Sequence, residues 1–153
     1  MITKSSGFSL VELLVVVAII GIISAVGTVS YQGYVKSSKR TAAQNIVQQT
    51  ALAQTEEYSN SGSYVVTTSL GDGGSISTAV CEANNASSDA VEEGLFNGDD
   101  IISNQIGFEV CIVGNSSTYK VIAVEYNKSD PYEWSGCEIS LVRNSLPVRN
   151  DSC

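Results

Sequence analysis

Glu12 is a carboxylate at the head of an apolar run: it follows Gly7-Phe8-Ser9-Leu10-Val11, and no further charge occurs from Leu13 to Val35. A carboxylate at membrane depth costs about 2.5–3.5 kcal/mol on insertion scales, so it is normally kept there by a cationic partner or a task. The sequence offers no obvious partner within the chain. The second reactive set is four cysteines, Cys81, Cys111, Cys137 and Cys153, all beyond the apolar run. None sits in a C-x-x-C pair and the chain has no histidine, so a zinc site is not expected and two disulfides formed in an oxidising compartment are. Three connectivities are open from sequence alone. Without histidine there is no His-based nucleophile triad, and neither G-x-S-x-G nor a phosphate-binding glycine loop is present, so an enzyme is not expected and no cofactor is called for. Asp72, Asp99, Asp100 and Asp130 could offer oxygens to calcium, but their spacing fits no recognised calcium loop and reads as solvated surface.

The 153 residues carry a formal net charge of −8. That balance argues against a nucleic-acid-binding domain, which needs clustered Lys and Arg to neutralise phosphates. The only basic cluster is Lys36, Lys39 and Arg40, just past the apolar run, where it reads as an interfacial anchor or a subunit contact. Asn85, Asn115, Asn127 and Asn150 each begin an N-x-Ser triplet, a pattern common by chance.

These residues need elements to position them. The uncharged run from Leu13 exceeds the ~20 residues of a bilayer-spanning helix, and it outlasts the ~7–15 apolar residues of an ordinary secretory signal. No proline precedes Pro131, so one helix is expected from the leader to about Tyr58, on the order of 75 Å long. Its second half becomes amphipathic, with Val35, Ala42, Ile46, Thr50 and Ala53, flanked by Ala43, Val47 and Ala51, on one side and Lys39, Arg40, Gln44, Gln48, Gln49 and Glu56 on the other. Ser59–Ser63 reads as its stop. Residues 65–104 are rich in Gly, Ser, Asn and Asp and read as a long irregular loop with a short strand near residues 76–80. The period then changes to two: residues 106–113 and 119–126 read as strands joined at Gly114-Asn115-Ser116-Ser117, with a third at 138–142. The sheet face turned to the helix is expected to carry Phe108, Val110, Ile112, Ile122, Val124, Ile139 and Leu141. Tyr126 and Trp134 read as core or loop-anchoring aromatics.

Gly7-Phe8-Ser9-Leu10-Val11-Glu12, joined to this apolar run within ten residues of the start, resembles the N-terminus of type IV prepilins, and Tyr31-Gln32-Gly33-Tyr34 with Asn60-Ser61-Gly62-Ser63-Tyr64 is similar to the helix of type IVa pilins. The resemblance implies an α+β pilin fold: a leader at 1–7 with Lys4 as its charge, a membrane and filament-core helix at 8–35, an amphipathic half at 36–60, and a head at 61–153 with a disulfide-stapled C-terminal loop. It implies cleavage between Gly7 and Phe8 by prepilin peptidase, methylation of Phe8, and a Glu12 that pairs with the Phe8 amine of a neighbouring subunit. Cys81–Cys111 and Cys137–Cys153, pairing sequence neighbours, is the bridge pattern expected with it. Pilins usually carry a proline where Val29 stands here, so Gly21 and Gly27 are expected to supply the weak stretch that loosens in a polymer.

The function this implies is a structural subunit of a type IV pilus, a homopolymer made with prepilin peptidase and an inner-membrane assembly machinery. The precursor would lie in the bacterial inner membrane and the product on the cell surface, in adhesion, twitching motility or DNA uptake, with no direct nucleic-acid contact. Two alternatives share the leader, Phe8 and Glu12: a pseudopilin of a type II secretion system, and a minor pilin acting as an adhesin. The cysteine-closed tail favours the pilin over the major pseudopilin.

Overall fold

The structure, a computed structural model, describes residues 7–71, 74–102, 106–126 and 136–153, with Thr28 and Val29 described by backbone alone. The chain divides into two compact units, residues 1–38 and 39–153. Helix α1, Leu10–Ser61, belongs to both and is unbroken. In the first unit its side chains from Leu10 to Val26 are exposed, and the helix is long and apolar enough to cross a membrane.

In the second unit the helical stripe closes the core. Ala43, Ile46, Val47, Thr50 and Gln54 are buried at spacings of three and four. Ala43, Ile46 and Val47 pack in one cluster with the inner face of a five-stranded sheet. The strands are β1 (Thr68–Ser69), β2 (Phe108–Gly114), β3 (Tyr119–Glu125), β4 (Glu138–Val142) and β5 (Val148–Arg149), ordered β1-β2-β3-β4-β5. β1 runs parallel to β2 and every other pair is antiparallel. The β2–β3 turn requires glycine, since a Cβ on Gly114 would lie 2.5 Å from the Thr118 carbonyl oxygen. Asn115 Oδ1 then accepts from the Ser117 and Thr118 amides and completes the turn.

Three expectations are corrected. The inner face of β3 carries Tyr119, Val121 and Ala123, because Val110 faces Ala123 and Ile112 faces Val121 across the ladder. Ile122 and Val124 therefore point outward, and a one-residue shift in the assumed register exchanges the two sets. They are not left to solvent: Leu70, Ala79 and Cys81 pack over Cys111, Val113 and Ile122 on that outer face.

The segment at 65–104 is not one irregular loop. It contains β1 and a second helix, α2, at Asn85–Phe96, while 76–78 form a turn rather than a strand. The polar run Asn84-Asn85-Ala86-Ser87 that reads as loop is the helix start. Asn84 accepts from the Ser87 amide and the Ser87 hydroxyl accepts from the Asn84 amide, a capping box with serine in the usual place of Glu. Asn97 ends the helix in the left-handed region. α2 also covers a sheet edge. The Ser87 hydroxyl donates to the Val110 carbonyl and the Ser88 hydroxyl accepts from the Val110 amide, two hydroxyls doing the work of a strand's backbone.

The third correction concerns polarity. Arg40, expected on the solvent side of α1, is half-buried and sits in line with Ala43 and Val47. Gln54 is fully buried and pairs by both ends of its amide with the backbone of Val65. Tyr126 is 43 % exposed and so is not core. Trp134, Asp72, Asp130 and Asn127 lie outside the described residues, as does the leader before Gly7.

Candidate processing and assembly site

At the N-terminal end the chain is built for access. Gly7 and Phe8 precede the helix and are exposed, Phe8 to 80 %. α1 starts at Leu10, and the Ser9 carbonyl accepts from the amides of Glu12 and Leu13. That places Ser9 at the N-cap and Glu12 at the third helical position. Negative charge there is favoured by the helix dipole. The S-x-x-E frame of a capping box was thus present in Ser9-Leu10-Val11-Glu12, a signal of helix start beyond the reading of Glu12 as a buried-charge anomaly. Among the described residues none hydrogen-bonds to or pairs with the Glu12 carboxylate. Gly21 and Gly27 lie within the unbroken helix, and a Cβ at either would meet nothing within 4 Å. Among the described residues no packing therefore demands glycine at those positions.

The cysteines lie in the second unit and work at two places. Cys81 is bonded to Cys111 on β2 and Cys137 to Cys153, with Cα separations of 6.2 and 4.5 Å. The first bridge pins the segment before α2 to the outer face of the sheet. There Lys120 Nζ reinforces it by donating to the carbonyls of Ser77 and Ala79, with Glu138 at 3.9 Å. The second bridge holds the tail, and Arg40 holds it again. Its guanidinium donates to the carbonyls of Cys153 and Ser152 and lies 3.5 Å from the Glu125 carboxylate. The basic cluster is thereby divided: Arg40 serves the tail, whereas Lys36 is exposed.

Other polar groups are consumed in holding the second unit together. The buried Glu92 accepts from the Ile101 and Ile102 amides, and Glu109 accepts from the Ser88 hydroxyl. Tyr119 donates its hydroxyl to the Ala51 carbonyl, and burial pushes its phenol above the ordinary value of 10.0. Asp99 and Asp100 are exposed. Among the described residues no group of three carboxylates or thiols converges on a point where a metal would sit.

Comparison with known proteins finds two similarities. Residues 2–28 match the family model for the prokaryotic N-terminal methylation motif. The chain is 43% identical over 56 residues to the fimbrial protein EcpC of Eikenella corrodens, a match covering 37% of this chain and 37% of that protein. The match thus spans little more than a third of that relative. No solved structure matches the chain.

Proposed function

We propose that this chain, for which the methylation motif, the fimbrial relative and the long helix leading into a mixed sheet support a type IV pilin, is a subunit that polymerises into a surface filament through residues 8–35. Residues 1–7 are removed as a leader by prepilin peptidase, and Phe8 becomes the methylated N-terminus. The precursor waits in the inner membrane for an assembly machinery, and the filament is a homopolymer.

One observation carries this reading: a stretch of exposed apolar side chains from Phe8 to Val26 contains a single carboxylate, Glu12, to which no described residue is paired. In water that surface is unsustainable, and in hydrocarbon the charge is costly. Both problems are relieved when the helices of several copies bundle and the new Phe8 amine of one copy meets Glu12 of the next. Within such a bundle Gly21 and Gly27 are the weak points at which the helix loosens between about Gly21 and Val29. A loosened stretch costs roughly 1 kcal/mol less at each glycine than at alanine.

Electron microscopy of surface filaments, with intact-mass analysis of their main component, tests this. The expected product starts at methylated Phe8. A filament subunit retaining Met1, or absence of the chain from filaments, overturns the reading.

A further inference from the structure

Each disulfide joins a cysteine of the sheet to a cysteine on an arm. Cys111 on β2 and Cys137, next to β4, are fully buried. Cys81 and Cys153 are half-buried and lie outside regular structure, on the stretch leading to α2 and on the tail beyond β5. A cation on a rigid element grips each arm by its backbone. Lys120 on β3 donates to the Ser77 and Ala79 carbonyls, just before Cys81, at 3.5 and 3.1 Å. Arg40 on α1 donates to the carbonyls of Ser152 and of Cys153 itself. A carboxylate stands beside each cation, Glu138 at 3.9 Å from Lys120 and Glu125 at 3.5 Å from Arg40. The same arrangement of sheet cysteine, arm cysteine, cation and carboxylate thus occurs twice in the second unit.

Neither loop length nor the sheet alone fixes the partners. Cys111 is closer in sequence to Cys137 than to Cys81, and closure entropy grows only with the logarithm of loop length, so it barely discriminates. Once the sheet forms, β3 stands between β2 and β4, and Cys111 and Cys137 pack in different clusters. That removes their pairing, but an exchange of arms stays within reach. Cys81 borders the same recess of about 320 Å³ as Gly136 and Asn150, so the first arm passes close to the second bridge. The tail is registered on β4 as far as Asn150, whose amide and side-chain oxygen both bond the backbone of Glu138. Beyond Asn150 the Arg40 guanidinium takes over.

We infer that Lys120 and Arg40 direct the pairing of the cysteines: each holds its arm by the backbone and presents the arm's thiol to one sheet cysteine before the bond exists. The oxidant is a disulfide of the oxidising compartment. The more accessible arm thiolate attacks it, releasing one oxidant thiol and leaving a mixed disulfide, and the buried sheet thiolate then attacks the arm sulfur and releases the second. Two electrons pass to the oxidant, and the two cysteine protons end on its two thiols. The inference concerns the folding of residues 39–153 and stands apart from the filament.

The test refolds the full-length chain, reduced and unfolded, in detergent micelles with reduced and oxidised glutathione, and reads the bridges over time by mass spectrometry of thiol-blocked samples. Arg40→Met is expected to lower the early yield of Cys137–Cys153 about tenfold, the equilibrium equivalent of one hydrogen bond to a charged group, while Cys81–Cys111 forms as in the parent chain. Lys120→Met is expected to do the reverse, with Cys81 found on Cys137 or Cys153. Arg40→Lys and Lys120→Arg, which keep a charged donor, should recover much of each loss. A general loss of stability would lower both bridges together, so the crossed dependence separates positioning from mere support. Both bridges forming normally in either methionine variant, or falling together in both, overturns the inference. A second measurement leaves the cations untouched. With Cys137 and Cys153 both replaced by serine, the amide at 153, which donates to the Asn150 carbonyl, is expected to stay protected from hydrogen exchange. Free exchange there would show an arm that Arg40 does not hold, and overturns the inference as well.

Discussion

Residues 8–26 and residues 39–153 treat apolar surface in opposite ways. The first segment displays it: Leu10, Ile22, Ile23 and Val26 are each more than 65 % exposed, and Glu12 stands among them without a described partner. The second hides it, with Phe108, Val110, Ile112, Val121 and Ile139 at or near zero exposure. Nearly every polar group drawn inward there has a partner, as with Gln54 on Val65 and Glu92 on the amides of Ile101 and Ile102. The difference teaches where each part finds its stability. The second unit completes itself from its own residues, and the first leaves its apolar side chains exposed, which under the function proposed above are covered by hydrocarbon or by other copies.

Substitutions that separate the two regions test this, and the largest effect belongs to the first. Under the proposed function, Glu12→Ala should leave the subunit in the membrane and its head folded, yet nearly abolish filaments, because it removes the charge proposed to be matched between copies. Normal piliation in that variant, counted by microscopy, breaks the contrast at its centre.

The bridges come next. Replacing Cys137 and Cys153 by serine, or Cys81 and Cys111, should each cost about 3 kcal/mol of head stability in the chain-entropy account of loops this long. Chemical denaturation of the head reads that loss, and peptide mapping of unreduced protein should recover the Cys81–Cys111 and Cys137–Cys153 peptides. Cys81 joined to Cys137 or Cys153 would refute the pairing while leaving the helix argument intact.

Arg40→Ala is expected to cost about 1.5–3 kcal/mol, the range for hydrogen bonds to charged groups, by releasing the carbonyls of Ser152 and Cys153. The signature is faster amide exchange in the tail with no change at Glu12 or Phe8. Unchanged exchange there would assign the tail to its disulfide alone.

The smallest effect is a pH dependence. Burial raises the Tyr119 phenol above 10.0, so the folded state binds this proton more tightly than the unfolded one. The associated stability is fully present below pH 10 and is lost as pH climbs through the raised value. Tyr119→Phe should cost about 1 kcal/mol at neutral pH, the net worth of one hydrogen bond, and should flatten the alkaline fall in melting temperature. An identical alkaline profile in the variant would place that titration elsewhere.

Much of this was legible from residue order. The apolar run, Glu12 at its head and the absence of proline before Pro131 imply a long helix because such signals are local: each depends on neighbours within a turn or two. The strand periods at 106–113 and 119–126 are local as well. What misled was also local. Asn84-Asn85-Ala86-Ser87 has loop composition and a helix cap's chemistry, and choosing between them depends on Val91 finding the core behind it. The inner face of β3 depended on which residue of β2 lies opposite, a pairing across a turn that alternation alone leaves ambiguous by one.

By itself, then, the sequence determined the periodic and compositional features: one helix, part bare and part amphipathic, a cleavage-like junction before Phe8, a lone carboxylate, and cysteines confined to the region beyond residue 80. Only the tertiary structure decided which buried polar groups are satisfied and by whom. Arg40 finds the carbonyl of a residue 113 positions away, and Lys120 finds carbonyls more than 40 positions back. A guanidinium or an ammonium placed on a helix or strand says nothing of its partner in sequence, because the partner is set by where the chain returns. Burial then makes the pairing obligatory, since an unpaired charge in the interior costs more than the fold can spare.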